Sequence, residues 1–445
     1  MNKKSRAGRA IVPVIVGYDV GAYSFARIFH EAGGYKSVVL TTAPRGPIND
    51  SRILDVRLFE RGTFDDDERF LAALADLECE FVGCTLILLV NADEHVEFVA
   101  RNREHFGANW FLPYSPLGAV QRANSKGAMA ELLTDMGLNA PKRVVVDLSA
   151  QQWPELDEVC FPAVVKPESG ADLAQNWGRG LRKVELWKTR SEALKACEIL
   201  RTNGVEVRVI IQEFIPGDDT TQWLVNGYVN RQGQVTACGS GRLILGLHQP
   251  EYIGNAGIVL TEHHPKLIEQ ATRIVTAVGI RGYFSMDVKI DPRNGKTYWL
   301  DLNPRIGRGH YYMKLAGVDL AAALLADLSN DLTAEEEPRE GRSGNGARSG
   351  EGAAYSVPAR SKAYQTNSEL GLFCLVPSYL ANSCYVTDPQ LLKRVRQVKR
   401  QRRAVNPLLY RADRSLGRYV YVLGNSINHY RRMRAYYRQP DPYRL

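Results

Sequence analysis

The 445-residue chain has little that would cross-link it, anchor it or seat a metal through sulfur. Its seven cysteines (Cys79, Cys84, Cys160, Cys197, Cys238, Cys374 and Cys384) are odd in number and never fall at a paired metal spacing. That argues against a disulfide framework or a cysteine zinc site and for free thiols in a reducing cytoplasm. Histidines number only eight. The adjacent pair His263-His264 precedes Pro265, which suits a helix start better than a ligand pair. No apolar run approaches the ~20 residues a membrane-spanning helix needs. In "MNKKSRAGRAIVPVIVGYDV" basic residues precede an apolar stretch, but Ile11 to Val16 is one strand long and no small-residue cleavage site follows. Internal repeats are absent, as is any convincing Ser/His or Cys/His constellation for nucleophilic catalysis. The turn "GYDVGAYSFAR" after the first strand lacks the G-x-G-x-x-G spacing of a dinucleotide site; it reads equally as a tight turn or as a binding loop.

What is present is a soluble, globular composition, 44% hydrophobic and 24% charged, on a chain long enough for two or three domains. Up to residue 116, strands (Ile11–Val16, Ser37–Thr41, Thr85–Val90) alternate with helical segments (Ala22–Glu31, Asp65–Leu77, His95–His105), which predicts a parallel α/β sheet. Residues 117–328 mix strands and helices in an α+β pattern. They begin with a helix capped near Asn124 or Ser125 and stopped by Gly137. Residues 329–370 include five glycines between Gly341 and Gly352 and few large apolar side chains, which predicts a flexible linker. Residues 371–445 form a basic extension. From Leu391 onward fifteen Lys/Arg face two Asp, a local charge of +13 within a chain total of +8, so the rest of the chain carries −5. Seven tyrosines accompany that charge. The segment suits a helix packed on or solvated around the acidic body, then an anionic membrane surface; nucleic acid ranks last.

The densest chemistry lies in "GYFSMDVKI" (282–290), "DPRNGK" (291–296) and "TYWLDLNPRIGRG" (297–309). A three-residue loop at Arg293-Asn294-Gly295 would oppose Pro292 to Lys296, and hence Asp287 to Asp301 and Ser285 to Asn303. Opposed side chains stand about 4.5–5.5 Å apart, so two like charges there destabilise a sheet unless a cation sits between them. Oxygen ligands of this kind suit Mg²⁺ shared with phosphates, and Arg305 can grip a phosphate bidentately. Lys166 ends an apolar strand before the glycine-containing loop "ESGADLAQNWGRG", where Ser169 and Gly170 could close over phosphates, and Lys126 could add charge from the earlier helix. In "IIQEFIPGDD", Gln212, Glu213, Phe214 and Ile215 form a hinge suited to an adenine edge, with Asp219 placed for ribose hydroxyls.

In this order the pieces resemble the ATP-grasp superfamily, over about residues 117–328, with a Rossmann-like pre-ATP-grasp domain in front. The resemblance implies a two-subdomain ATP-grasp fold, ATP, and two Mg²⁺ ions, replaceable by Mn²⁺, on Asp287, Asp301 and Asn303. It implies phosphate-binding roles for Lys126 and Lys166 and an adenine hinge at Glu213 and Ile215. Asp301 stands where Glu is commoner, a shorter reach. Within the superfamily the chain looks most like the D-aspartate ligases of bacterial cell-wall synthesis and related carboxylate–amine ligases. That implies an amino-acid carboxylate donor, an amine acceptor such as a muropeptide precursor, and work at the inner face of the membrane. D-alanine:D-alanine ligases carry an Arg where this chain has Ser285, which leaves Arg308 and Arg281 as candidates to steady a tetrahedral intermediate.

Overall fold

The computed structural model describes residues 10–168, 170–335 and 364–437. β1 (Ala10–Val16) leads through α1 (Val20–Gly33) to β2 (Ser37–Thr41) and β3 (Leu54–Leu58). Then follow α2 (Asp67–Glu80), β4 (Cys84–Val90), α3 (Asp93–Arg101) and the short β5 (Trp110–Phe111). All five strands are parallel, in the order β3-β2-β1-β4-β5. β1, β2 and β4 are apolar almost throughout because both faces of the sheet are covered. β3, "LDVRL", escapes the sequence reading because Asp55 and Arg57 interrupt it, as an edge strand permits. The Asp19 carboxylate caps α1, accepting from the Gly21 and Ala22 N–H groups at 2.8 and 3.1 Å. Ten of the fourteen α1 residues are buried, since the helix lies in one core with Tyr228, Tyr283 and Tyr312 of the following domain.

After α4 (Leu117–Asn124) and α5 (Lys126–Asp135, capped by Ser125) comes a small antiparallel sheet. Its elements are β6 (Arg143–Asp147), β7 (Ala163–Pro167), α6 (Gly170–Asn176), β8 (Glu185–Trp187), α7 (Arg190–Thr202) and β9 (Arg208–Glu213), with strand order β6-β9-β7-β8. The expected glycine loop is therefore largely helical: α6 and a 3₁₀ turn at Trp177–Arg179 occupy most of it. Ala171, Leu173, Ala174 and Gln175 are good helix formers and outweigh the flanking glycines. Ser169, part of that expectation, lies outside the described residues.

A larger sheet completes the fold. It contains β10 (Gln222–Val229), β11 (Val235–Leu247), β12 (Asn255–Thr261), β13 (Gly282–Ile290) and β14 (Thr297–Asn303), with α8 (Pro265–Val278), α9 (Tyr311–Leu315) and α10 (Leu320–Glu335) alongside. His264 is the N-cap of α8, with Pro265 at its first position, as the sequence suggests. β15 (Leu372–Cys374), α11 (Pro389–Arg400), β16 (Ala404–Val405) and α12 (Leu416–Tyr436) follow, and the sheet runs β14-β13-β10-β11-β12-β15-β16.

One expectation about the C-terminal third needs correction, and a second is met. The boundary at residue 329 falls inside α10, and residues 364–370 are tied to the body through Gln365, Asn367 and Ser368; residues 336–363, the heart of the expected linker, lie outside the described residues. The basic extension is in large part structural. β15 and β16 extend the large sheet because Leu372, Phe373 and Cys374 are buried, and α11 buries Leu391, Leu392, Val395 and Val398 while turning its basic side outward. Among the described residues no helix is long and apolar enough to cross a membrane.

Candidate active site

Asp287 does face Asp301, and Ser285 faces Asn303. The route differs from the expected one. The turn is a four-residue loop closed between Asp291 and Lys296, because the Asp291 carboxylate binds the Arg293 N–H at 2.9 Å and draws Pro292 into the loop. Val288 consequently pairs with Trp299, one residue out of the expected register, and a β-bulge at Leu300 restores it before the acids. The bulge also explains the burial pattern of β14. Trp299 and Leu302, three apart, both enter the core, while Asp301 and Asn303 face the cleft.

A cavity of about 510 Å³ lies over this hairpin, lined by Asp287, Asp301, Asn303, Lys126, Lys166 and Arg305 among others. Lys166 sits on the face of β7 opposite its core residues and pairs with Asp301 at 3.3 Å. Burial and the neighbouring Asp301 charge push the Asp287 carboxyl up to about 7. Asp301 feels the same burial, but Lys166, Lys126 and Arg143 together hold its carboxyl below the usual range. Burial, then Lys166, lowers the Lys126 ammonium. Two opposed carboxylates with unequal proton affinity thus stand within a ring of cations. Among the described residues no group of three or more His, Cys, Asp or Glu could hold a metal. Two carboxylates and an amide nevertheless fit Mg²⁺, which takes few protein ligands and completes its shell with phosphates and water.

Arg305 and Arg308 project from the loop after β14. Ile306 is buried there, and the buried His310 closes the loop: Nδ1 accepts from the Gly307 N–H at 3.0 Å while Nε2 donates to the Phe284 carbonyl at 3.2 Å. That pair of bonds needs a neutral ring, and burial pushes the His310 pKa down to about 3. Arg305 is held by Asp93 of α3 (2.5 and 3.2 Å) and reaches Asn303 Oδ1 at 3.3 Å. Arg308 lies 3.6 Å from Asp19 and over the Tyr252 ring, and its Nε has no partner among the described residues.

Other expected residues lie elsewhere. The Arg281 guanidinium binds the carbonyls of Arg231 and Ile280, at the opposite end of β13 from Asp287, and does not reach the cavity. The Asp219 carboxylate is satisfied by the Gly246 N–H (2.6 Å) and His248 Nε2 (3.0 Å), beside a neighbouring cavity of about 100 Å³ that Phe214 also lines. Two donors leave that carboxylate further acceptor capacity toward the small cavity. Gln212 and Glu213 end β9 and Ile215 follows it, all outside the larger cavity; Gln212 keeps a buried side-chain oxygen without a partner among the described residues. Gly170 opens α6. Sequence reasoning missed Lys183, whose ammonium binds the Ile253 carbonyl at 2.8 Å and is pushed down to about 8 by burial and by Arg308. It also missed Asp93, Arg143 and Asn226, the last bonded to Ser285 at 3.0 Å. Of these only Lys183, close after the glycines at 178 and 180, carried a local signal.

A second chamber, about 790 Å³, opens at the C-terminal ends of β1, β2 and β4 and adjoins the first through Asp19, Asn91 and Arg308. The "GYD" turn, Arg45, Arg61 and His95 line it, with Tyr421, Asn425, His429 and Arg432 of α12 as the far wall.

Residues 123–309 match the ATP-grasp domain family, and this part of the chain is an ATP-grasp domain. Beyond that class, the chain is 24% identical over 322 residues to the D-aspartate ligase of Enterococcus faecium (strain Aus0004), covering 71% of this chain and 76% of that protein. The fold is shared with two solved structures. L-amino acid ligase from Bacillus licheniformis aligns with a TM-score of 0.50 at 18% identity, over 73% of this chain and 74% of that one. N5-carboxyaminoimidazole synthetase from Staphylococcus aureus aligns with a TM-score of 0.51 at 14% identity, over 74% and 80%.

Proposed function

We propose that this protein is an ATP-dependent carboxylate–amine ligase that forms an amide through an acylphosphate. The observation that carries the reading is the opposed pair Asp287 and Asp301 with Asn303, ringed by Lys126, Lys166, Lys183 and Arg305, on an ATP-grasp domain. Mg²⁺ held by Asp287, Asp301 and Asn303 would neutralise charge on the ATP phosphates. Lys126 and Lys166 supply fixed positive charge to the transferring phosphoryl group, and Arg305, oriented by Asp93, grips an oxygen of it. The donor carboxylate attacks the γ-phosphorus, the bond to ADP breaks, and the amine then displaces phosphate from the acyl carbon. Arg308, which lines both cavities, is the candidate to steady the tetrahedral oxyanion.

The 24% identical relative, a D-aspartate ligase, supports D-aspartate as donor; a lysine side chain of a peptidoglycan precursor as acceptor rests on the resemblance to cell-wall carboxylate–amine ligases alone. The 790 Å³ chamber is far larger than an amino acid requires. Its cations Arg45, Arg61 and Arg432 suit an extended, anionic amine acceptor. The test is ATP-dependent hydroxamate formation with hydroxylamine across D- and L-amino acids, followed by amide formation with a lysine-containing muropeptide. Hydroxamate with D-aspartate supports the donor. Amide formation only with small free amines would favour a metabolite ligase, and no phosphate release under any combination would leave a nucleotide-binding protein.

A further inference from the structure

We infer that the outer face of α12 docks this protein on an anionic lipid surface. The inner face of the helix is committed to the body. Arg418 donates to the carbonyls of Pro47, Asn49 and Leu408 and covers the Tyr23 ring, Val422 and Met433 enter two cores, and Tyr421 packs against Gly46. The opposite face carries Leu416, Val420, Leu423 and Ile427, which are 81, 63, 64 and 54% exposed. Their spacing of four, three and four residues places them on one stripe. Tyr419 and Tyr430, also exposed, accompany that stripe, and Arg414, Arg431 and Arg434 are exposed along the same helix and its start. Isolated exposed apolar residues are ordinary, but four in register on one helix form a patch that asks for a cover.

Charge selects the cover. From Arg414 to Arg438 there is no Asp or Glu, so a second copy packing α12 against α12 would set arginine against arginine. Residues 336–363 contain only Tyr355 and Val357 as large hydrophobic side chains, too few to fill the stripe. A sheet of anionic headgroups over hydrocarbon matches both features: the arginines meet phosphates, the aliphatic stripe enters the acyl boundary, and the tyrosines sit between.

The experiment is co-sedimentation of the full chain with vesicles of phosphatidylcholine containing one third phosphatidylglycerol, and with phosphatidylcholine alone. Binding is expected only to the first, weakening as salt is raised. Leu423→Ser with Ile427→Ser should weaken it about ten-fold, and Arg431→Gln with Arg434→Gln by a similar factor. Unchanged melting temperatures would show that both variants fold; the arginine pair decides if the first does not. A chain that stays in solution with the anionic vesicles, or binds them equally after both double substitutions, overturns the inference. So does a wild-type dimer that Leu423→Ser with Ile427→Ser dissociates, since a second copy would then cover the stripe. None of these readouts uses ATP or an amino acid, so the result is independent of the proposed ligase activity.

Discussion

The cavity over the β13–β14 hairpin and the chamber under α12 meet at Asp19, Asn91 and Arg308, yet their walls are built in different ways. In the first, adjacent strands supply the acids, and their spacing follows from sheet geometry. In the second, residues from the ends of three parallel strands meet a helix from the far end of the chain, α12 (Leu416–Tyr436). A wall made of neighbouring strands holds its groups rigidly and suits phosphoryl transfer, where position matters most. A wall made of loops and a remote helix can differ widely between relatives and suits the choice of substrate.

Breaking the rigid wall should have the largest effect. Asp301→Asn or Asp287→Asn is expected to reduce ATP turnover by about a thousand-fold or more, with unfolding midpoints near wild type; full phosphate release in both variants would end the metal assignment. Next is the loop that joins the two regions. His310 is fully buried and neutral, with its pKa depressed from 6.5 to about 3. Its contribution is complete above pH 6.5 and is lost as pH falls toward 3, by at most about 1.4 kcal/mol per pH unit. Urea unfolding between pH 7 and pH 4 should show that slope, and His310→Asn should flatten it while lowering stability at pH 7.

The chamber should respond more selectively. Arg432→Ala or Arg61→Ala is expected to raise the KM for a muropeptide acceptor about ten-fold, each charged contact being worth roughly 1.5–3 kcal/mol when made, while hydroxamate formation stays unchanged. Equal loss in both assays would mean that the two cavities act as one site. The smallest effect belongs to the turn. Asp291→Ala removes the bond to the Arg293 N–H and should cost about 1 kcal/mol, measured by thermal unfolding, with little change in turnover because the bulge at Leu300 sets the acids independently.

That last point bears on what could be read in advance. The facing of Asp287 and Asp301 was legible from turn residues and alternation, but through a loop one residue too short; the bulge cancelled the error. Lys166 was legible as the polar end of an apolar strand. Arg281 was misplaced, since its hydrogen-bond partner, the Arg231 carbonyl, leaves no mark near it in the chain. Composition set the basic segment on the body but did not show that its first part completes a sheet.

Local patterning by itself determined the parallel sheet, the start of α8 at His264, the acid hairpin and the order of the ATP-grasp elements, because strand periodicity, turn chemistry and helix caps act over a few residues. Only the tertiary structure decided that His310 locks the arginines. It also decided that Arg308 stands between two cavities and that α12 turns one face to a chamber and the other to solvent. Those facts depend on which distant segments share a core, as when Arg418 finds Tyr23 and the carbonyls of Pro47 and Asn49, and only packing the whole chain selects such contacts.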